Sequence, residues 1–271
     1  MDRRTKVALF LAKSPIHGLL QRTHRTLSRY IDLAENWNNG DENTNGEAFL
    51  IRMVAPKLRV VFDIGANLGN WSSLILAVNP ACQVYAFEAS PATFANLKRR
   101  YAGHSQMKLL QIGIGDREGN LSFHDHGENS GLSSFVSRET SIGLGAKNIV
   151  EARLTTVDAV REKNHLEHID FIKVDTEGYE MAVLRGMRSS LKARKISIVQ
   201  FEYGGTWLDA GETLAKANEL LSECGYVLYR LRRDGLEKID YDCRRHECFK
   251  YSNFIAAESL EIISRWNVPV I

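Results

Sequence analysis

The sequence is poor in cysteine, in long apolar runs and in net charge, and each shortage removes a class of protein. Its four cysteines, at positions 82, 224, 243 and 248, show no C-x-x-C pair, so neither a disulfide scaffold nor a zinc ribbon is expected. Cys243 and Cys248 flank His246, and thiols in a loop are the preferred reading there over a metal site. A reducing cytoplasm suits this cysteine usage. The apolar run Val7 to Ala12 is too short to cross a bilayer, and Lys13-Ser14-Pro15 follows it where a signal peptide would place small residues. A net charge of +2, with no continuous basic stripe, makes nucleic acid an unexpected partner. What remains is a chain of 271 residues, 44% hydrophobic and 25% charged, able to bury the core of one medium enzyme domain.

Missing too is the G-x-G-x-x-G turn of dinucleotide folds. In its place stands Val60-Val61-Phe62-Asp63-Ile64-Gly65-Ala66-Asn67-Leu68-Gly69, a strand-like run ending in an acid and two glycines four residues apart. A second apolar run, Gln83 to Phe87, ends in Glu88, about 20 residues beyond the turn, where a parallel strand presents an acid to a ribose. An acid at the mouth of the turn repels a pyrophosphate but suits a ligand with an ammonium tail and a sulfonium centre. The cofactor this favours is S-adenosylmethionine. A nicotinamide-dependent oxidoreductase is the weaker reading, because it leaves Asp63 without a role.

Downstream, strands and helices alternate as in a doubly wound sheet. Ser90-Pro91 opens a helix through Phe94, Leu97 and Tyr101, and Met107 to Ile114 reads as a third buried strand. That strand ends in Gly115-Asp116, where Asp116 either accepts a hydrogen bond from an adenine amino group or caps the following turn. Leu121 to His126 and Ile149 to Leu154 read as strands outside the alternation, separated by a Gly- and Ser-rich loop, residues 127–145, long enough to be a lid. Ile169 to Asp175 then runs into Thr176-Glu177-Gly178-Tyr179-Glu180, and Ile196 to Phe201 into Glu202. Ligands of open parallel sheets bind outside the carboxyl ends of the strands, which directs Asp175, Glu177 and Glu202 at the reaction centre. Glu180 reads instead as a helix-start acid complementing the macrodipole.

These acids are the candidate bases for a hydroxyl acceptor, with His124, on the strand before the loop and paired with His126 across Asp125, as second choice. The same strand-end acids are also of the type that holds a divalent cation such as magnesium, and the sequence does not separate the two roles. Trp207 is expected either to stack on a sugar ring or to be buried.

Taken together, the glycine turn, Ala86-Phe87-Glu88, the block Asp170-Phe171-Ile172-Lys173-Val174-Asp175-Thr176-Glu177-Gly178-Tyr179-Glu180 with Leu184-Arg185-Gly186, and Phe201-Glu202-Tyr203-Gly204 resemble the FkbM family of S-adenosylmethionine-dependent methyltransferases over residues 45–257. One departure is Thr176, where that family more often has an apolar residue. The resemblance implies a Rossmann-like class I fold, with seven strands and the last antiparallel, and O-methylation of a hydroxyl on a sugar, glycan, glycolipid or related natural product. It places Asp63, Gly65, Asn67 and Gly69 at the methionine end of the cofactor, Glu88 at the ribose and Asp116 on the adenine side. A cofactor-binding scaffold without turnover is the alternative within that likeness.

Residues 1–44 fall outside the resemblance. Their first 30 residues hold seven Lys or Arg against one acid, Asp2. A helical arm covering the sheet or a neighbouring subunit is the expected reading, and a basic helix at an anionic lipid surface the sharper one. The expected division is therefore an arm at 1–44 and a methyltransferase domain at 45–271, with oligomeric state unread.

Overall fold

Val60–Ile64 is a strand because nearly every residue in it is apolar and β-branched or aromatic, the composition of a strand covered on both faces. In the computed structural model, which describes residues 2–138, 143 and 145–271, it is β1 and stands in the middle of the main sheet. The other strands, in chain order, are β2 (Gln83–Phe87), β3 (Met107–Leu110), β4 (Gly113–Ile114), β5 (Gly119–Asp125), β6 (Asn148–Thr155), β7 (Ile169–Val174), β8 (Ile196–Tyr203), β9 (Val227–Leu231), β10 (Leu236–Lys238) and β11 (Ser252–Ala257). The main sheet has the order β10-β9-β11-β8-β7-β1-β2-β3. Neighbours from β3 through β8 run parallel, while β11 is antiparallel to both β8 and β9. This is the Rossmann-like class I order with one addition: β10 folds back on β9 as an edge hairpin, giving eight strands where seven were expected.

Side chains alternate between two layers of core. Val61, Val84, Phe171 and Ile198 pack on one face with the helices Glu47–Val54, Asn70–Val78 and Leu260–Arg265. Phe62, Tyr85, Ile172 and Val199 pack on the other, under Val157–Lys163, Glu180–Arg185 and Leu214–Glu223. Helix starts follow local chemistry: the Ser90 and Thr213 hydroxyls accept backbone N–H groups of Thr93 and Lys216, and Pro91 occupies the first turn.

The expected single strand Met107 to Ile114 is broken. After Leu110 the chain leaves the main sheet, and β4 pairs instead with β6, which is antiparallel to β5. Gly113 permits the crossing, since a Cβ there would lie 2.4 Å from the Phe135 ring. Gly113, Ile114 and Phe123 of the resulting three-stranded sheet share a cavity wall with Ile64 and Phe87, the last residues of β1 and β2.

The arm consists of two helices, Arg3–Ala12 and His17–Ala34, neither with a buried residue, so within this chain it does not cover the sheet. Only its root is attached. The Asn38 N–H donates to the Tyr251 carbonyl (2.8 Å), the Tyr251 N–H to Asn38 Oδ1 (3.0 Å), and Lys250 pairs with Asp32 (2.5 Å). Among the described residues no helix is long and apolar enough to cross a membrane.

Candidate active site

Two cavities meet at the carboxyl end of the sheet. The first encloses about 650 Å³, counting the part open to solvent, and follows the strand order. Asp175, Thr176 and Glu177 at the tip of β7 form one end; Ile64, Gly65 and Asn67 beyond β1 come next; then Phe87, Glu88 and Ala89 beyond β2. Ile112, Ile114, Phe123 and Phe135 make an apolar far end. Acid, glycine turn, acid and apolar slot thus succeed one another along one trough.

The turn is shaped by what it must avoid. Gly65 has φ +80°, and a Cβ on it would lie 1.8 Å from the Asp175 carbonyl oxygen. The Gly65 and Ala66 N–H groups both donate to the Phe87 carbonyl, and Asp175 N–H donates to the Ile64 carbonyl, which locks three strand tips together. Glu88 accepts the N–H of Asn67 (2.9 Å) and of Ser90 (2.8 Å). Burial, only partly offset by those donors, lifts its pKa to about 7.

A segment of the expected lid, residues 127–138, closes the trough; residues 139–142 and 144 of that loop lie outside the described residues. The Asn129 N–H donates to Thr93 Oγ1 (3.2 Å), Asn67 Nδ2 to the Ser130 carbonyl (3.4 Å) and Ser134 Oγ to the Thr176 carbonyl (3.0 Å). Phe135 bridges Phe123 and Tyr179 by ring contacts at 4.9 and 5.1 Å. Arg138 ends this segment in an ion pair with Glu177 at 2.7 Å.

The second cavity, about 960 Å³ and more open, shares Asp175 and Glu177 with the first. Arg138, Glu202, Gly204, Gly205, Thr206, Gly40, Leu132 and Tyr251 complete it, a lining that mixes charged and hydroxyl groups with apolar surface.

Charge in the shared wall is arranged in pairs. Lys173 holds Asp175 at 2.8 Å. Burial opposes the Lys173 ammonium, but Asp175, Glu47 and Asp63 outweigh it and keep its pKa well above the ordinary lysine value. Burial likewise opposes the Asp175 carboxylate, and Lys173 overcomes it, holding Asp175 ionised below its ordinary value. Glu202 goes the other way: burial and then the Asp175 charge push it far up, which favours its neutral form. Glu177 lies between, raised to about 8 by burial first and by Asp175 second, against the pull of Arg138. Its backbone sits at φ +55°, an uncommon conformation for a residue with a side chain.

Of the residues singled out from sequence, Gly65, Asn67, Glu88, Asp175 and Glu177 meet in the first cavity, and Glu202 joins the last two in the second. Others stand off these walls. Asp63 is fully buried behind the turn and accepts from Ser72 Oγ at 2.6 Å; its other oxygen has no hydrogen-bond partner among the described residues. Gly69, at φ +74°, packs against Tyr101, whose hydroxyl donates to its carbonyl (2.5 Å). Asp116 faces Arg117 at 3.5 Å and does not line the trough. His124 pairs through its backbone with Ser134 and reaches neither cavity. Trp207 is buried, its indole N–H donating to the Glu202 carbonyl (3.0 Å), so it is no sugar platform. Glu180, read as a macrodipole acid, does more: buried completely, it accepts N–H groups of Thr176 (2.8 Å) and Gly178 (3.0 Å) and so fixes the loop that carries Asp175 and Glu177. Among the described residues no group of three or more His, Cys, Asp or Glu side chains is disposed to hold a metal ion. The strand-end acids take Lys173 and Arg138 as partners.

The sequence reading missed Arg138, Tyr251 and the apolar slot. Arg138 lies in a loop without periodicity, and Tyr251 reaches the cleft only because β11 inserts between β8 and β9. Lys173 was in view within the I-K-x-D block, but only the fold shows it facing Asp175.

The profile of the Methyltransferase FkbM domain matches residues 63–228. Among curated proteins, the hexuronic acid methyltransferase AglP of Haloferax volcanii is 26% identical over 64% of this chain and 69% of its own length. The 2-O-methyltransferase NoeI of Sinorhizobium fredii is 26% identical over 58% of this chain and 68% of its length. Methyltransferase 1 of Beauveria bassiana is 28% identical over 49% of this chain and 59% of its length.

Proposed function

This chain belongs to the FkbM methyltransferase family and is an S-adenosylmethionine-dependent methyltransferase; from that premise we propose that it methylates a sugar hydroxyl, with the cofactor in the first cavity and the acceptor in the second. The observation that carries the reading is that Asp175 and Glu177 stand in both walls, so a donor and an acceptor in the two cavities would meet at these carboxylates.

The lining of the trough supports a cofactor there. Its apolar end, Ile112, Ile114 and Phe135, suits a flat purine; Glu88 suits ribose hydroxyls; Gly65 and Asn67 line the stretch next to Asp175, where the turn can press against β7 only because Gly65 has no Cβ. Asp63, fully buried behind that turn, stands off the cavity walls and accepts from Ser72, and burial raises its pKa, so its part is to brace the turn. Bound in the trough, S-adenosylmethionine supplies a methyl group already activated on sulfur.

The chain's own task is to place an oxygen and take its proton. Positioning of this kind is worth roughly 7 to 11 kcal/mol in favourable cases. Glu177 is the residue proposed to accept the proton, because a carboxylate with a pKa near 8 is a far stronger base than an ordinary one once ionised. Asp175, kept ionised by Lys173, orients the hydroxyl, and Glu202 beside it is favoured in its neutral form. The hydroxyls of Thr206 and Tyr251 beside the backbone of Gly204 and Gly205 support a sugar, as do the activities for which AglP and NoeI are named.

The experiment is methyl transfer from S-adenosylmethionine to a panel of hexuronic acids, neutral hexoses and oligosaccharides, with product position read by mass spectrometry and NMR. Methyl on a sugar oxygen supports the reading. Calorimetric binding of S-adenosylmethionine with no transfer to any sugar would overturn the acceptor class.

A further inference from the structure

The helix His17–Ala34 divides lengthwise into two unlike faces. Leu19, Leu20, Thr23, Leu27, Tyr30, Ile31 and Ala34 recur at the spacing of one helical stripe, and Arg22, Arg25 and Arg29 form another on the opposite side. Among the described residues nothing buries the apolar stripe; Tyr30 is 72% exposed, and Phe10 of the preceding helix 73%. The chain elsewhere covers its aromatic side chains, so a face of this size needs a partner.

The charges say which kind. Arg3, Arg4, Lys6, Lys13, Arg22, Arg25 and Arg29 form no ion pair among the described residues. The acids at the arm's end are already taken: Asp32 by Lys250, and Glu35 by Arg230 and Arg232. What the arm presents is an apolar stripe backed by unneutralised positive charge. A second copy of the arm would double that uncompensated charge, whereas an anionic lipid interface offers acyl chains to the stripe and headgroups within reach of the long arginine side chains.

The arm is also joined to the site. Its root, through the reciprocal bonds of Asn38 and Tyr251, leads directly to Gly40 and Tyr251 in the wall of the second cavity. We infer that residues 3–34 dock on an anionic phospholipid surface and hold the acceptor cavity beside it, so that the sugar methylated is one carried on a lipid. The docking stands by itself; the lipid-borne acceptor rests on the methyltransferase reading above.

The test is co-sedimentation of the full chain with phosphatidylcholine vesicles, with and without phosphatidylglycerol. The chain is expected to pellet with the anionic vesicles, to be released by salt, and to stay in solution with the neutral ones. Two triple variants, Arg22→Glu with Arg25→Glu and Arg29→Glu, and Leu20→Glu with Leu27→Glu and Ile31→Glu, should each lower partition by about tenfold or more. Neither changes a buried residue, so S-adenosylmethionine binding by calorimetry should be unaltered in both. Failure to pellet with anionic vesicles overturns the docking, and a dimer in light scattering that the leucine variant dissolves would give the face to a second copy. Partition together with methylation of soluble sugars only, tested beside a lipid-linked sugar in the same vesicles, overturns the acceptor part alone.

Discussion

Gly65 lies so close beneath Asp175 that the cofactor turn and the acid-bearing loop form one unit: a Cβ on Gly65 would fall 1.8 Å from the Asp175 carbonyl oxygen. Gly65→Ala therefore meets two obstacles, a left-handed φ of +80° and a backbone overlap that no rotamer change relieves. Gly103 is the control, since it has φ +86° and nothing within 4 Å of the added carbon. Gly103→Ala should cost about 1 kcal/mol. Gly65→Ala should cost well over that and weaken S-adenosylmethionine binding by about tenfold or more, as read by thermal denaturation and calorimetry. Equal behaviour of the two variants would show that the contact is not made.

The buried acids give the ligand-free protein a stability that falls with rising pH. Glu88 and Glu180 are lifted from an ordinary 4.5 to about 7, and Glu177 to about 8, burial being the first cause in each. Between 4.5 and these values the folded chain keeps protons that the unfolded chain has released, so stability is lost as pH rises through the window. Each such proton is worth about 1.4 kcal/mol per pH unit. Asp175, lowered by Lys173, acts in the opposite sense only below this window. The Tm is expected to be higher near pH 6 than near pH 8, and Glu180→Gln should flatten that slope while lowering Tm near pH 6, because an amide cannot accept all the N–H groups of Thr176 and Gly178.

How far the sequence was legible depends on whether a residue's role was local. Gly65 and Gly69 could be read because a strand-to-helix turn with positive φ has few alternatives to glycine, and Asp175 and Glu177 because they sit at a strand's end. The break after Leu110 could not: Leu110, Ile112 and Ile114 are apolar throughout, and only the arrival of β6 from 34 positions beyond Ile114 tells the chain where to change sheets. Trp207 suits cleft and core equally by its residue type, and it is the Phe201 and Tyr203 rings flanking it that make it core. Arg138 had no signal, since its partner Glu177 is 39 positions away and its own loop has no period.

Arg138 links the covering segment to the acid it neutralises, and its loss should be felt twice. Arg138→Met keeps most of the buried stem but removes the cation at 2.7 Å, which leaves Glu177 with burial and Asp175 alone and drives its pKa higher. It also frees one of the ties that hold residues 127–138 over the trough. The expected result is a rise in KM for S-adenosylmethionine of several-fold, together with an activity profile displaced to higher pH. A merely structural role would change KM and leave the profile in place, and Arg138→Lys should restore part of the displacement.

Glu177 itself sets the pH dependence of turnover. If it receives the hydroxyl proton, only its ionised form works, and kcat/KM should climb through an apparent value near 8 to a plateau on the alkaline side. That value belongs to the linked set of Asp175, Glu177 and Glu202 rather than to one side chain. Glu177→Gln should abolish the climb and lower kcat by about 10² to 10⁴-fold, while S-adenosylmethionine still binds. Asp175→Asn gives a second, directional reading: Asp175 is the second cause of the rise in Glu177, so its neutralisation should move whatever climb remains toward lower pH, opposite to Arg138→Met. A Glu177→Gln enzyme that keeps both its rate and its rising limb would transfer the proton-accepting role to another group of the cleft.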